Sequence, residues 1–81
     1  MSKMKLEEWH PSAVGDQLSG HYGRQGGNAV IQTDDGLMWS LPHVAAVRLQ
    51  TIDPDIGQSV TVTYGGRNLH GDEQFRVAVH G

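Results

Sequence analysis

Polar and apolar residues alternate along most of this chain. Between positions 17 and 24, Leu18, Gly20 and Tyr22 fall on one face, and Gln17, Ser19 and His21 on the other. A period of two marks a half-buried strand. Gly20 inside the run predicts a bulge or a sharp bend. The stretch RQGGN then predicts a turn. A second strand over residues 28–33 carries Val30 and Ile31. TDDGL predicts a hairpin turn, with Asp34 and Asp35 in type I positions and Gly36 in the left-handed one. A third strand over 37–41 sends Leu37, Trp39 and Leu41 to one face.

At Pro42 the alternation stops. Proline suits the first position of a helix, where its missing N–H costs nothing. Val44, Ala45, Val47 and Leu49 follow at helical spacing and predict two turns of helix over 42–50. DPDIG is a turn. Residues 58–64 alternate again, with Val60, Val62 and Tyr64 inward and Thr61 and Thr63 outward. Residues 65–73, GGRNLHGDE, predict a long glycine-punctuated loop. A fifth strand over 74–80 points Phe75, Val77 and Val79 inward. Residues 1–14 form an arm ahead of one domain spanning 15–81. Residues 5–8 predict a helical turn that His10-Pro11 ends, because the residue before proline avoids helical geometry. Trp9, in that arm, is expected to cap one end of the core.

The predicted order is strand, strand, strand, helix, strand, strand. Curved strands with glycine bends favour a closed sheet. The expected fold is mainly β, a five-stranded Greek-key barrel with one short helix between strands 3 and 4. At 81 residues, about 60–65% of the unfolded chain's surface can be buried. The core is thin and rests on a few large side chains.

Composition narrows the function classes. The chain has no cysteine, which excludes disulfides and thiolate metal sites. It has no apolar run near the roughly 20 residues that a membrane helix needs. The start carries Lys3 and Lys5 but no apolar core of a secretory signal. A cytoplasmic location is expected. Six Lys and Arg face nine Asp and Glu, a formal net charge of -3. That balance gives no general attraction to phosphate backbones and lacks the basic stripe of a tight nucleic-acid binder.

The strand–helix order resembles the OB-fold, specifically small stand-alone OB-fold-like proteins of phages, plasmids and bacteria. The residues that carry the resemblance are VGDQLSG (14–20), IQTDDGLMWSLP (31–42) and DIGQSVTVTYGG (55–66). An SH3-like barrel is the alternative, but it would need a helical turn between the last two strands. The resemblance implies a binding face on the second and third strands and the loops beside them. Here that face draws on Gln32, Met38 and Ser40, with Arg24, Gln25, Arg67, Asn68 and His70 from flanking turns.

Single-stranded nucleic acid needs aromatic platforms and cations along the backbone track. Tyr22, Trp39 and Tyr64 are the aromatic candidates, although each shares a face with apolar neighbours and so reads first as core. Arg24 and Arg67 supply the charge. The expected ligand residues are therefore Tyr22, Arg24, Gln32, Trp39, Arg67 and Asn68, with weak, salt-sensitive binding.

No catalytic residue, metal or cofactor is expected. The five histidines match no zinc spacing. Counting from Asp34, a calcium loop would need Glu at the twelfth position, where Ala45 stands. GRQGGN lacks the Gly-Lys-Ser/Thr of a phosphate loop. Two roles stay open: a non-enzymatic module for single-stranded nucleic acid, and a protein-interaction or homo-oligomeric module built on Trp9 and exposed strand edges.

Overall fold

The fold is described over residues 6–80 of a computed structural model. Its elements are β1 (Leu6–Glu8), β2 (Gln17–Gln25), β3 (Asn28–Gln32), β4 (Met38–Ser40), α1 (His43–Ile52), β5 (Ser59–Arg67) and β6 (Glu73–His80). The six strands form one sheet in the order β1-β4-β3-β2-β5-β6.

β2 holds this sheet together. Its first half pairs with β5, from Gln17↔Thr63 to His21↔Ser59. Its second half pairs with β3, from His21↔Gln32 to Gln25↔Asn28. Gly20 lies where the strand passes from one partner to the other. A β carbon there would run into the Gln32 carbonyl and come within 2.7 Å of Ile31 Cγ2. The glycine admits a close backbone crossing. At the far end, Gly26 and Gly27 take φ of 60° and 87° and close a two-residue hairpin that residues with a β carbon resist. The next turn uses the expected acids. Asp35 accepts from the Thr33 hydroxyl and from the Leu37 N–H at 3.2 Å.

The chain departs from the sequence expectation in three places. Leu6–Glu8 is a strand, not a helical turn; Lys5 and the rest of residues 1–5 lie outside the described residues. β1 pairs in parallel with β4, Leu6↔Met38 to Glu8↔Ser40, and Trp9 N donates to Ser40 O at 3.0 Å. An unpaired edge strand offers backbone partners, and these outweigh the local preference of Leu-Glu-Glu. The second departure follows from the first. β1 occupies the edge of β4 that a closed five-stranded barrel would give to β6, so the sheet has six strands and stays open. Third, the predicted loop over 65–73 shrinks to residues 68–72, with strand on both sides of it. β5 continues through an irregularity between Tyr64 and Arg67, and Arg67 pairs with Glu73. The two glycines mark a bulge. The helix sits where expected, directly after Pro42, and α1 is the only helix among the described residues.

α1 packs across β3 and β6 and buries Ala45 and Leu49. They join Leu18, Tyr22, Ala29, Ile31, Val60, Val62, Tyr64 and Phe75 in one cluster, with Trp9, Trp39, Leu41, Val77 and Val79 half-buried around it. Leu37, expected inward, is outside that cluster. Val30 is also buried, but it pairs with Gly23 and Ser40 on the opposite face.

The link from the arm to β2 is tied down by Asp16. Its carboxylate accepts from the N–H groups of Ser12 and Ala13 at 2.9 and 3.0 Å. Its backbone exchanges bonds with β5: Gly15 N donates to Tyr64 O, and Tyr64 N donates to Asp16 O, both at 2.8 Å. The Ser12 N–H first, then that of Ala13, holds the Asp16 carboxyl below the ordinary aspartate range. A depressed carboxyl stabilises the fold above the unfolded-state value of about 3.9. That contribution disappears as pH falls through the folded value. Carboxyl-detected NMR titration is expected to place Asp16 below ordinary aspartate, and Asp16→Asn to remove its share of the acid-side slope in stability. An ordinary titration for Asp16 would contradict this.

Candidate interaction surfaces

The six residues expected to bind ligand do not gather. Tyr22 is 1% exposed, so its ring has no free face for a base. Its hydroxyl accepts from Arg24 Nε at 3.1 Å, and Arg24 Nη2 reaches Asp53 Oδ1 at 3.1 Å. The Tyr22 hydroxyl first, then the Asp53 carboxylate, pushes the Arg24 pKa up. Asp53 itself ends α1 in a left-handed conformation, φ 55°. Trp39 is half-buried against the core opposite Ile31, and its indole N–H donates to Thr33 Oγ1 at 3.1 Å. Gln32 is half-buried between His21 and Met38.

Arg67 and Asn68 are engaged in their own turn. Arg67 Nη1 donates to Gly71 O at 2.8 Å. Asn68 Oδ1 accepts from His70 N and Asp72 N at 2.9 and 3.0 Å. Arg24 and Arg67 also lie at opposite ends of the β2–β5 ladder. From the pair Gln17↔Thr63, Arg67 is four residues one way and Arg24 seven the other. At the usual strand rise that is on the order of 30 Å. Arg48 is exposed on α1 and Arg76 on β6, so the arginines form no single track.

Two other features stand out. The first is a groove of about 360 Å³ in the seam between the arm and β6, lined by Glu8, Trp9, His10, Pro11, Ser40, Leu41, Pro42 and Glu73. The Trp9 ring packs on Phe75 at 6.1 Å and an angle of 57°, and Phe75 on Tyr64 at 5.3 Å. Glu8 Oε2 meets His10 Nε2 at 3.0 Å. Glu73 is half-buried and has no side-chain hydrogen bond or ion pair among the described residues. A cavity of similar volume lies by Tyr22, Arg24, Asp53 and Ile56, where Asp53 already neutralises Arg24.

The second feature is the outer edge of β6. Among the described residues its backbone bonds only to β5. Its sequence, EQFRVAVH, has neither the lysine nor the proline that commonly blunts an edge. Its outward face continues a polar network, in which Ser19 Oγ meets Thr61 Oγ1 at 2.9 Å and Thr61 Oγ1 meets His80 Nε2 at 3.0 Å.

Both features left traces in the sequence. A Trp before His-Pro in a polar arm signals the groove, and Val-Ala-Val without a blocking residue signals the edge. Together the fold and these surfaces define a small β-rich domain with an open sheet and one helix. Comparison with protein-family models, curated proteins and solved structures returns no match for this chain. Among the described residues no helix is long and apolar enough to cross a membrane.

Proposed function

We propose that this chain is a non-enzymatic protein-interaction module that joins chains by strand addition at β6, and that the strand it takes is β6 of a second copy. The open β6 edge carries this reading. An unprotected edge is a template for further pairing, and two-fold pairing is the simplest closed use of one surface. Antiparallel pairing centred on Val77 sets Phe75 opposite Val79, Arg76 opposite Ala78 and Gln74 opposite His80. Apolar residues then meet on the core-facing side, and no like charges face each other. Moving the axis to Arg76 would oppose two guanidiniums.

The resemblance-based alternative, binding of single-stranded nucleic acid, draws on the strand order. Its aromatic rings face the core, and its two loop arginines stand apart with partners of their own.

Sedimentation from low micromolar to sub-millimolar protein is expected to show a monomer–dimer equilibrium. Ala78→Lys, facing Arg76 of the second copy, is expected to return it to monomer. Ala78→Glu is expected to tighten the dimer several-fold, up to about tenfold, from two added cross-strand charge pairs. A strict monomer, or equal behaviour of the two variants, overturns the proposal. A labelled oligothymidine at low salt is expected to show no anisotropy change at tens of micromolar protein. A saturable rise would favour the nucleic-acid reading instead.

A further inference from the structure

We infer that the seam groove is a receptor for an arginine side chain on an extended segment of a partner protein. This inference stands apart from strand addition at β6.

The groove has two kinds of wall. Trp9, Pro11, Leu41 and Pro42 present carbon. Glu8 and Glu73 present carboxylates, and among the described residues no Lys or Arg lines the space. Among the described residues the basic side chain there is His10, which is bonded to Glu8. Glu73 has a candidate partner within the fold, because Arg67 stands opposite it in the strand register. The Arg67 guanidinium instead turns to Gly71 O, and the Glu73 carboxylate is left to the groove.

An arginine matches both walls. Its three methylenes lie against apolar surface while the charged end reaches polar groups, and its planar head stacks on an indole face. Its fork of N–H donors meets a carboxylate with two bonds at once. The volume, about 360 Å³, is at the small end of ligand sites and suits one side chain with its flanking backbone. The net charge of -3 favours the approach of a cation.

The probe is a blocked pentapeptide with one central arginine among alanines, compared with the same peptide carrying neutral, near-isosteric citrulline. Each is titrated into the full-length ¹⁵N-labelled chain. The arginine peptide is expected to shift the Trp9 indole N–H and the amides of His10, Leu41 and Glu73. The citrulline peptide should bind several-fold more weakly. Trp9 packs on Phe75, so its removal endangers the fold. Glu73→Gln keeps the size of the side chain and removes only its charge, and is the deciding variant. It is expected to weaken the arginine peptide about tenfold, to leave the citrulline peptide unchanged, and to keep the wild-type thermal midpoint. Unmoved groove resonances, equal shifts from both peptides, or an unaltered Glu73→Gln titration each overturn the inference. Repeating the titration in the Ala78→Lys monomer removes self-association from the reading, so failure at the groove is distinguishable from failure at the β6 edge.

Discussion

Gly20→Ala is expected to destabilise the protein by about 3 kcal/mol or more, a large part of the roughly 5 kcal/mol typical of a small domain. The new β carbon would strike the Gln32 carbonyl and stand 2.7 Å from Ile31 Cγ2. Neither neighbour can move freely. Gln32 is paired on both sides, with His21 and Met38, and Ile31 is fully buried. β2 cannot swing away either, because His21 is bonded into β3 and β5 at once. Restricting the unfolded chain works the other way, by about 0.4–1 kcal/mol, too little to offset the clash. Gly23→Ala is the control. Its β carbon would meet only Val30 Cγ2 at 3.4 Å, and a change within about 1 kcal/mol is expected. Urea unfolding at constant m-value measures both. A Gly20→Ala variant within 1 kcal/mol of wild type would mean that β2 and β3 do not cross this closely.

The sequence announced Gly20 as a bend because glycine breaks a period-two pattern, and a pattern is local. The first two hairpins, the helix after Pro42 and, Leu37 apart, the inward set from Leu18 to Val79 were legible for the same reason. Closure was not. Whether β4 gives its free edge to β6 or to the arm depends on two segments far apart in the chain. The arm's strand, Leu-Glu-Glu, is too short to show a period of its own. Gly65 and Gly66 misled in the opposite sense, since paired glycines mark bulges as well as loops.

The candidate site divides along the same line. Alternation placed Tyr22 and Trp39 on the core face, and there they lie. The tie between Arg24 and Asp53 spans 29 positions and leaves no local trace. The separation of Arg24 from Arg67 was readable in principle. β2 and β5 run antiparallel, which sends the turns that follow them to opposite ends of the sheet. Proximity to glycine made the two arginines look alike, whereas strand direction sets them apart.

Leu49→Ala is expected to cost about 3 kcal/mol, and Val47→Ala, two residues away on the same helix, less than about 0.5 kcal/mol. Leu49 is fully buried, whereas Val47 is 46% exposed, so only the first leaves a cavity. The contrast is sharpened by how little else holds α1. The helix has ten residues, no side-chain hydrogen bond at its N-cap and no acidic residue in its first turn. Helices shorter than about 12–15 residues are marginal alone in water, so α1 depends on docking Ala45 and Leu49 against β3 and β6. Truncating Leu49 weakens that docking and exposes the core-facing side of both strands. Val47→Ala trades a β-branched residue for the best helix former, a gain of a few tenths of a kcal/mol. Urea midpoints, read alongside near-ultraviolet circular dichroism of the core aromatics, separate the two. Equal midpoints would show that the helix lies on the sheet without holding it together, and that the core is closed by the strands and Trp9 alone.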